Sequence, residues 1–406
     1  MLADRVERTE DGRSGIENFL SSVPSVDGVE KRPKAVLGFT GKNIESAEFL
    51  LAESLRSTGK RSARLRRLGE AIIDSFTQLQ MAPPEGEGFD LKTGKTVTAL
   101  GGDNRVYLRS FGDDMKALLR AVAREEKAGH RHPAWLAWAR QFGDWLLTQQ
   151  QARGGFPRAW SAGTGVVADQ SPLSTYNAIP FLTLLTAQTR DPRYLVAAAR
   201  AGEFVWNSGQ ESGVFVGGTI DNPDVIDKEA GTLSLEAYLA LWERTHDERW
   251  TERAQVAADY AETWIYIWDV PMAPDEDASA LHWKLGVPTT GLQLIASGHS
   301  LVDEYMSFDV DEYARLSRLA NDAHYLEVAR LLLHNTKSMI ALPGRPYDLK
   351  GPGWQQEHWS LAPRRGYGLH RAWLPWVATS QLNGIVGLEE YDAALFRDLA
   401  ESKEEQ

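Results

Sequence analysis

The sequence predicts an all-α fold, an (α/α)6 toroid of six helical hairpins with its long loops on one face. Three observations carry that expectation: a repeated amphipathic helix, a more uniformly apolar helix before each copy, and an alternation of short and long connections. The repeat is seen in "HPAWLAWARQFGDWLL" (132–147), "DPRYLVAAARAGEFVW" (191–206), "DERWTERAQVAADYAETW" (247–264) and "NDAHYLEVARLLLHNTKSM" (321–339). Each copy opens on a polar turn, then an aromatic, then alanine four residues later. Counting from the aromatic, positions +4, +7 and +11 hold Ala139, Phe142, Leu146; Ala198, Ala201, Val205; Ala254, Ala257, Ala261; and Ala329, Leu332, Thr336. That is the 3.6-residue period of a helix with one buried face, and the alanines admit a close neighbour.

The anchors Trp135, Tyr194, Trp250 and Tyr325 stand 59, 56 and 75 residues apart, too far for one helix and right for a hairpin plus a loop. The preceding segments are 108–126, 174–189, 231–245 and 291–305, apolar around most of their circumference and so expected inside. Adding 45–57 with 64–80 and 371–387 with 389–400 gives twelve helices in six pairs, an inner ring and an outer ring. Connections within pairs are short, as at 189–193 and 245–249. Those between pairs are long: 81–106, 153–173, 207–229, 269–290 and 340–369. Loops of that length in a compact domain are usually functional, and closure of the ring would gather them around one funnel. Residues 1–40 are polar and irregular, with at most a short helix near Ile16–Leu20, and read as a leader or packing arm; residues 41–401 read as the toroid.

Composition narrows the function. With 406 residues, 43% of them hydrophobic, the chain can bury a large core. A net charge of −12 argues against nucleic acid and anionic lipid as partners. The absence of cysteine removes disulfides, thiolate zinc sites and cysteine nucleophiles. The charged opening "MLADRVERTEDGRSGIENFL" is no signal peptide, and no apolar run of about 18 residues follows. The chain as given reads as cytoplasmic, or as secreted if it is a piece of a longer exported protein. Neither a Walker A loop, a GxSxG elbow nor HExxH is present, and nothing calls for a metal or cofactor.

This pattern of hairpins and loops, with "GGFPRAW" (154–160) after the fourth helix, resembles the six-hairpin, (α/α)6-toroid glycosidases over residues 41–401. Polysaccharide lyases and sugar 2-epimerases share that fold. The resemblance implies carbohydrate chemistry and an oligosaccharide or polysaccharide substrate, without assigning a role to any residue.

A sugar site needs aromatic faces for the ring, amides and arginines for hydroxyls, and paired carboxyls for acid and base work. In "FVGGTIDNPDVIDKEAGTLSLEAY" (215–238), Asp221, Asp224, Asp227 and Glu229 lead into an apolar helix. Acids there complement the helix dipole, but four exceed what capping needs, and Glu229 lies nearest the apolar helix. "GWQQEHWS" (353–360) supplies Trp354 and Trp359 as platforms, Gln355 and Gln356 as hydroxyl readers, and Glu357 with His358 for chemistry; the alternative is tryptophans that plug the ring and Glu357 paired with Arg364 or Arg365. "APDEDASALHWKLGVPTT" (273–290) offers His282 and Trp283 as a wall, or a loop packed down by Trp283. Asp103, Arg105, Tyr176 and Asn177 precede or open inner helices at the funnel floor, with Asp103 equally suited to an N-cap. The expected catalytic carboxyls are Glu229 and Glu357, with Asp227 or Asp103 as substitutes. The expected activity is glycoside hydrolysis. A 2-epimerase using His282 and His358, a lyase using Tyr176 or His358 with Arg105, and a non-catalytic carbohydrate-binding toroid are the alternatives.

Overall fold

The computed structural model describes residues 1–18, 33–39, 41–100, 104–220, 224–269, 288–297, 301–303, 307–337, 340–344, 351–355, 357–360 and 375–401. Among these lie twelve α-helices: α1 (Asn43–Arg56), α2 (Gly59–Phe76), α3 (Leu108–Lys127), α4 (Pro133–Gln149), α5 (Ala178–Thr189), α6 (Pro192–Asn207), α7 (Lys228–Thr245), α8 (Glu248–Glu262), α9 (Val310–Ala320), α10 (Ala323–Asn335), α11 (Trp376–Tyr391) and α12 (Ala393–Ala400). Each even-numbered helix packs on the odd-numbered helix before it. The odd helices touch in ring order, and α11 packs against α1, closing the circle.

The repeated motif sets the outer ring. Asp191, Asp247 and Asp322 each cap an outer helix by accepting a hydrogen bond from the N–H two residues on, at 3.0, 3.1 and 2.8 Å. The short turn before each cap contains one left-handed residue, Arg190, His246 or Asn321, at φ of 59°, 52° and 52°. The aromatic anchors are buried, and three of them place a polar tip on an aspartate of the preceding outer helix. Trp135 Nε1 donates to Asp74 at 2.7 Å, Tyr194 Oη to Asp144 at 2.9 Å, and Tyr325 Oη to Asp259 at 2.8 Å. Between inner helices the approach is close at Gly112, where a Cβ would stand 2.4 Å from the Asn177 carbonyl oxygen at the start of α5.

Short antiparallel strands tie the loops together on one face. The N-terminal hairpin joins β1 (Val6–Arg8) to β2 (Ser14–Ile16). The strands β3 (Lys34–Val36), β4 (Gly88–Asp90) and β5 (Thr96–Val97) form one sheet, and β6 (Arg105–Tyr107), β7 (Ala159–Ser161) and β8 (Val167–Asp169) another. A last pair joins β9 (Leu301–Asp303) to β10 (His358–Ser360). Ile16 thus lies in a strand, not in the short helix expected near it, because its N–H is taken by Asn43 Oδ1 at 2.7 Å.

One inner helix lies later in the chain than the sequence predicts. The apolar pattern predicts it over 291–305, but the inner helix of the fifth pair is α9. Within that stretch, residues 292–296 spend their backbone groups on neighbouring loops: Asp227 bridges Ala296, Ile265 bridges Gln293, and Lys228 N donates to Ile295 O at 2.7 Å. Among the described residues, no helix is long and apolar enough to cross a membrane.

Candidate functional site

The N-termini of the inner helices converge on the face that carries the long loops, and charged side chains are buried among them. Arg109, in the first turn of α3, is 2% exposed and grips Glu229, in the first turn of α7 and 0% exposed. The two bonds are parallel, Nη1 to Oε2 at 2.7 Å and Nη2 to Oε1 at 2.9 Å, with Arg109 also donating to the Gly218 carbonyl. The guanidinium lies 4.5 Å from the centre of the Phe39 ring. Phe39 meets Trp376 edge-on at 5.1 Å, and Trp376 Nε1 donates to Glu357 Oε1 at 2.7 Å. Glu229 and Glu357, 128 positions apart, therefore sit in one cluster, linked through Arg109, Phe39 and Trp376.

Further charges surround this chain of contacts. Lys42 lies over Trp376 at 5.2 Å, pairs with Glu45 at 2.6 Å and stands 3.9 Å from Asp113. Burial works to raise the Asp113 carboxyl, but Lys42, Arg109 and Lys116 outweigh it and hold the group below its usual range. Lys228, fully buried, donates to Asp309 Oδ2 at 3.1 Å, as does Thr232 Oγ1. Asp227 caps α7, accepting from Ala230 N at 2.6 Å and Gly218 N at 2.9 Å. Burial first, and then the charge of Glu229, push its carboxyl up to about 7. Gly218 has to be glycine, since a Cβ there would lie 2.4 Å from Asp227 Oδ1 and 2.6 Å from Glu229 Cβ.

Below the cluster the ring axis holds a cavity of about 320 Å³. It runs between the inner helices from Asp309 and Thr232 to Arg244 and Tyr391 near their C-terminal ends.

The other expected site residues fall in several places. Asp103, Asp221, Gln356, His282 and Trp283 lie outside the described residues. His358 and Trp359 are on β10, opposite Asp303 and Val302. Arg105 is on β6, opposite Ser161, in the sheet that joins two loops. Trp354 is buried under Arg5, at 5.1 Å, and its carbonyl accepts from Ala341 N, so it fastens its loop to the N-terminal segment; Gln355 beside it is buried too. Tyr176 is buried with its hydroxyl on the Val216 carbonyl at 3.1 Å, and Asn177 Nδ2 donates to Ser174 O at 3.0 Å. The residue at the N-cap of α3, which begins at Leu108, is Tyr107. Arg109, Lys42, Lys228 and Trp376 are not among the residues expected from the sequence. For Arg109 and Lys228 a signal is present, a cation in the first turn of an inner helix; Lys42, one residue before α1, and the uncharged Trp376 carry none of that kind.

No family model matches the chain, and no characterised protein matches it in sequence. Solved structures do match. Cellobiose 2-epimerase from Spirochaeta thermophila DSM 6192 aligns with a TM-score of 0.57 at 12% identity, covering 87% of this chain and 86% of that one. The fold is that of the six-hairpin toroid enzymes. An unsaturated glucuronyl hydrolase specific for heparin gives 0.54 at 11% identity, covering 89% and 92%. A family 76 glycoside hydrolase (mannosidase) from Bacteroides thetaiotaomicron VPI-5482 gives 0.53 at 12% identity, covering 97% and 99%. The six-hairpin neighbours thus include both hydrolases and epimerases.

Proposed function

We propose that this toroid is a carbohydrate-active enzyme that hydrolyses glycosidic bonds, with Glu229 and Glu357 as its carboxyl pair. The observation that carries the reading is their meeting in one buried cluster at the mouth of the ring. Glu357 is the general acid that protonates the leaving oxygen, its other end steadied by the Trp376 indole. Glu229 is the carboxylate that activates water or attacks the anomeric carbon. Arg109 fixes the plane of its carboxylate, and each oxygen keeps a second lone pair for the reacting partner. Two of the structural neighbours named above are hydrolases, which agrees with this assignment.

Epimerisation is the second reading, favoured by His358 directly after Glu357 and by the cellobiose 2-epimerase neighbour. Carboxylates outnumber imidazoles around the described cluster, which favours hydrolysis: His130, His132, His246, His324 and His334 belong to the outer helices and the turns that join hairpin partners. A panel of oligosaccharides assayed for new reducing ends tests the proposal. Wild type should release them and Glu357→Gln, folded by circular dichroism, should lose at least about a hundredfold in kcat. Full activity in that variant removes Glu357 from the mechanism. Deuterium incorporated at C2 of a reducing sugar in D2O, without new reducing ends, selects the epimerase instead.

A further inference from the structure

At the outer edge of the ring, away from the loop face, three helices bring two carboxylates and an imidazole together. Glu125, in the last turns of α3, is 0% exposed; His132 is the residue before α4, and Glu70 lies on α2. Their donor atoms all fall within 4.8 Å of one another. The His132 ring is stacked on Trp135 at 3.7 Å and 6°, and its Nε2 stands 3.4 Å from Glu125 Oε2. Two ligands bound tetrahedrally to one ion, each at about 2.0–2.1 Å, are separated by about 3.3 Å, close to that spacing. A second observation is independent of the clustering. Glu125 Oε1, buried on the same carboxylate, has no hydrogen-bond partner among the described residues. A buried carboxylate oxygen without a donor is costly, and a cation would satisfy it.

We propose that Glu70, Glu125 and His132 form a binding site for a divalent transition-metal ion, with the Arg66 guanidinium holding its place when no metal is bound. Arg66 Nη1 bonds Glu125 Oε2 and stands 3.6 Å from Glu70 Oε1, so it lies among the same oxygens. Its side chain is 21% exposed and can swing outward, exchanging one cation for another. One imidazole with two carboxylates suits zinc, cobalt or manganese better than calcium or magnesium, which favour oxygen alone. Three protein ligands leave a fourth position for water. Such an ion would pin the α3–α4 turn to α2, at the opposite end of α3 from Arg109, which holds the Glu229 of the carboxyl pair proposed above. The residues come from positions 70, 125 and 132, which is why no ligand spacing is visible in the sequence.

Titration of tag-free protein with Co²⁺, followed by visible absorption, tests the site. One ion should bind per chain, with the intensity of a four-coordinate centre. Affinity should fall at least about tenfold in His132→Ala and in Glu70→Gln, a loss no smaller than that for orienting groups one shell further out. It should stay unchanged in the exposed neighbour variant His130→Ala and rise in Arg66→Ala. No saturable binding by wild type or Arg66→Ala, or binding that survives His132→Ala, overturns the proposal.

Discussion

Removing the Arg109 guanidinium while leaving its shape, as in Arg109→Met, strands the Glu229 carboxylate in a site where it is 0% exposed. The pair spans α3 and α7, inner helices with α5 between them in the ring, and its bonds of 2.7 and 2.9 Å join side chains that are 2% and 0% exposed. Breaking a buried pair from one side costs about 3–5 kcal/mol, because the remaining charge has lost its compensation. Unfolding entropy of roughly 2.1 cal/mol/K per residue over 406 residues converts a loss of about 4 kcal/mol into a drop in Tm of about 5 °C. Glu229→Met should cost a similar amount. The double variant Arg109→Met/Glu229→Met should lose much less than the two singles together, since it buries no orphan charge. Urea midpoints and calorimetric Tm values for the four proteins measure this cycle. Single variants within about 1 kcal/mol of wild type, or losses that simply add, would refute the claim that the two side chains are buried as one unit.

Two other outcomes follow from the same geometry. An acid whose folded pKa is raised, as for Asp227 from 3.8 to about 7, favours the fold fully below the lower value, and that contribution is lost as pH rises through the upper one. Asp227→Asn should therefore show a flatter decline in Tm between pH 4 and 8 than wild type, and parallel profiles would exclude the linkage. In the outer ring, Tyr325→Phe removes the donor to Asp259 and should lower stability by about 1 kcal/mol, read as a shift in urea midpoint at constant m; an unshifted midpoint would make that bond neutral.

Helices α6, α8 and α10 were legible because each carries its own start signal and stripe: an aspartate cap, an aromatic three residues on, and small or apolar residues facing inward. All are local, within one turn or two of each other. The α9 helix was not, since the residues it buries, Val310, Tyr313, Ala314 and Leu316, make a shorter apolar face than the run just before it. That earlier run is apolar because it lies against the start of α7, and Gly291, at φ of 88°, turns the chain out of any helix there. Glu229 was singled out by its place beside an apolar helix, but its partner Arg109 is 120 residues away, and no spacing rule reaches that far. Trp354 shows the opposite failure: an aromatic on a glycine-rich loop looks available to a ligand, and here it is covered by Arg5 from the N-terminal segment.

The contact between α11 and α1 changes how the molecule can come apart. A linear stack of hairpins has two end units, each held on one side, and opens from whichever is weaker. Here the seam is fastened across by the pairing of Arg56 with Glu389 and by Asn383 donating to Glu45. Every hairpin is then flanked twice, so releasing any one of them sacrifices two interfaces. Amide exchange in the inner helices should accordingly be slow and similar from first to last, without the gradient of an open array.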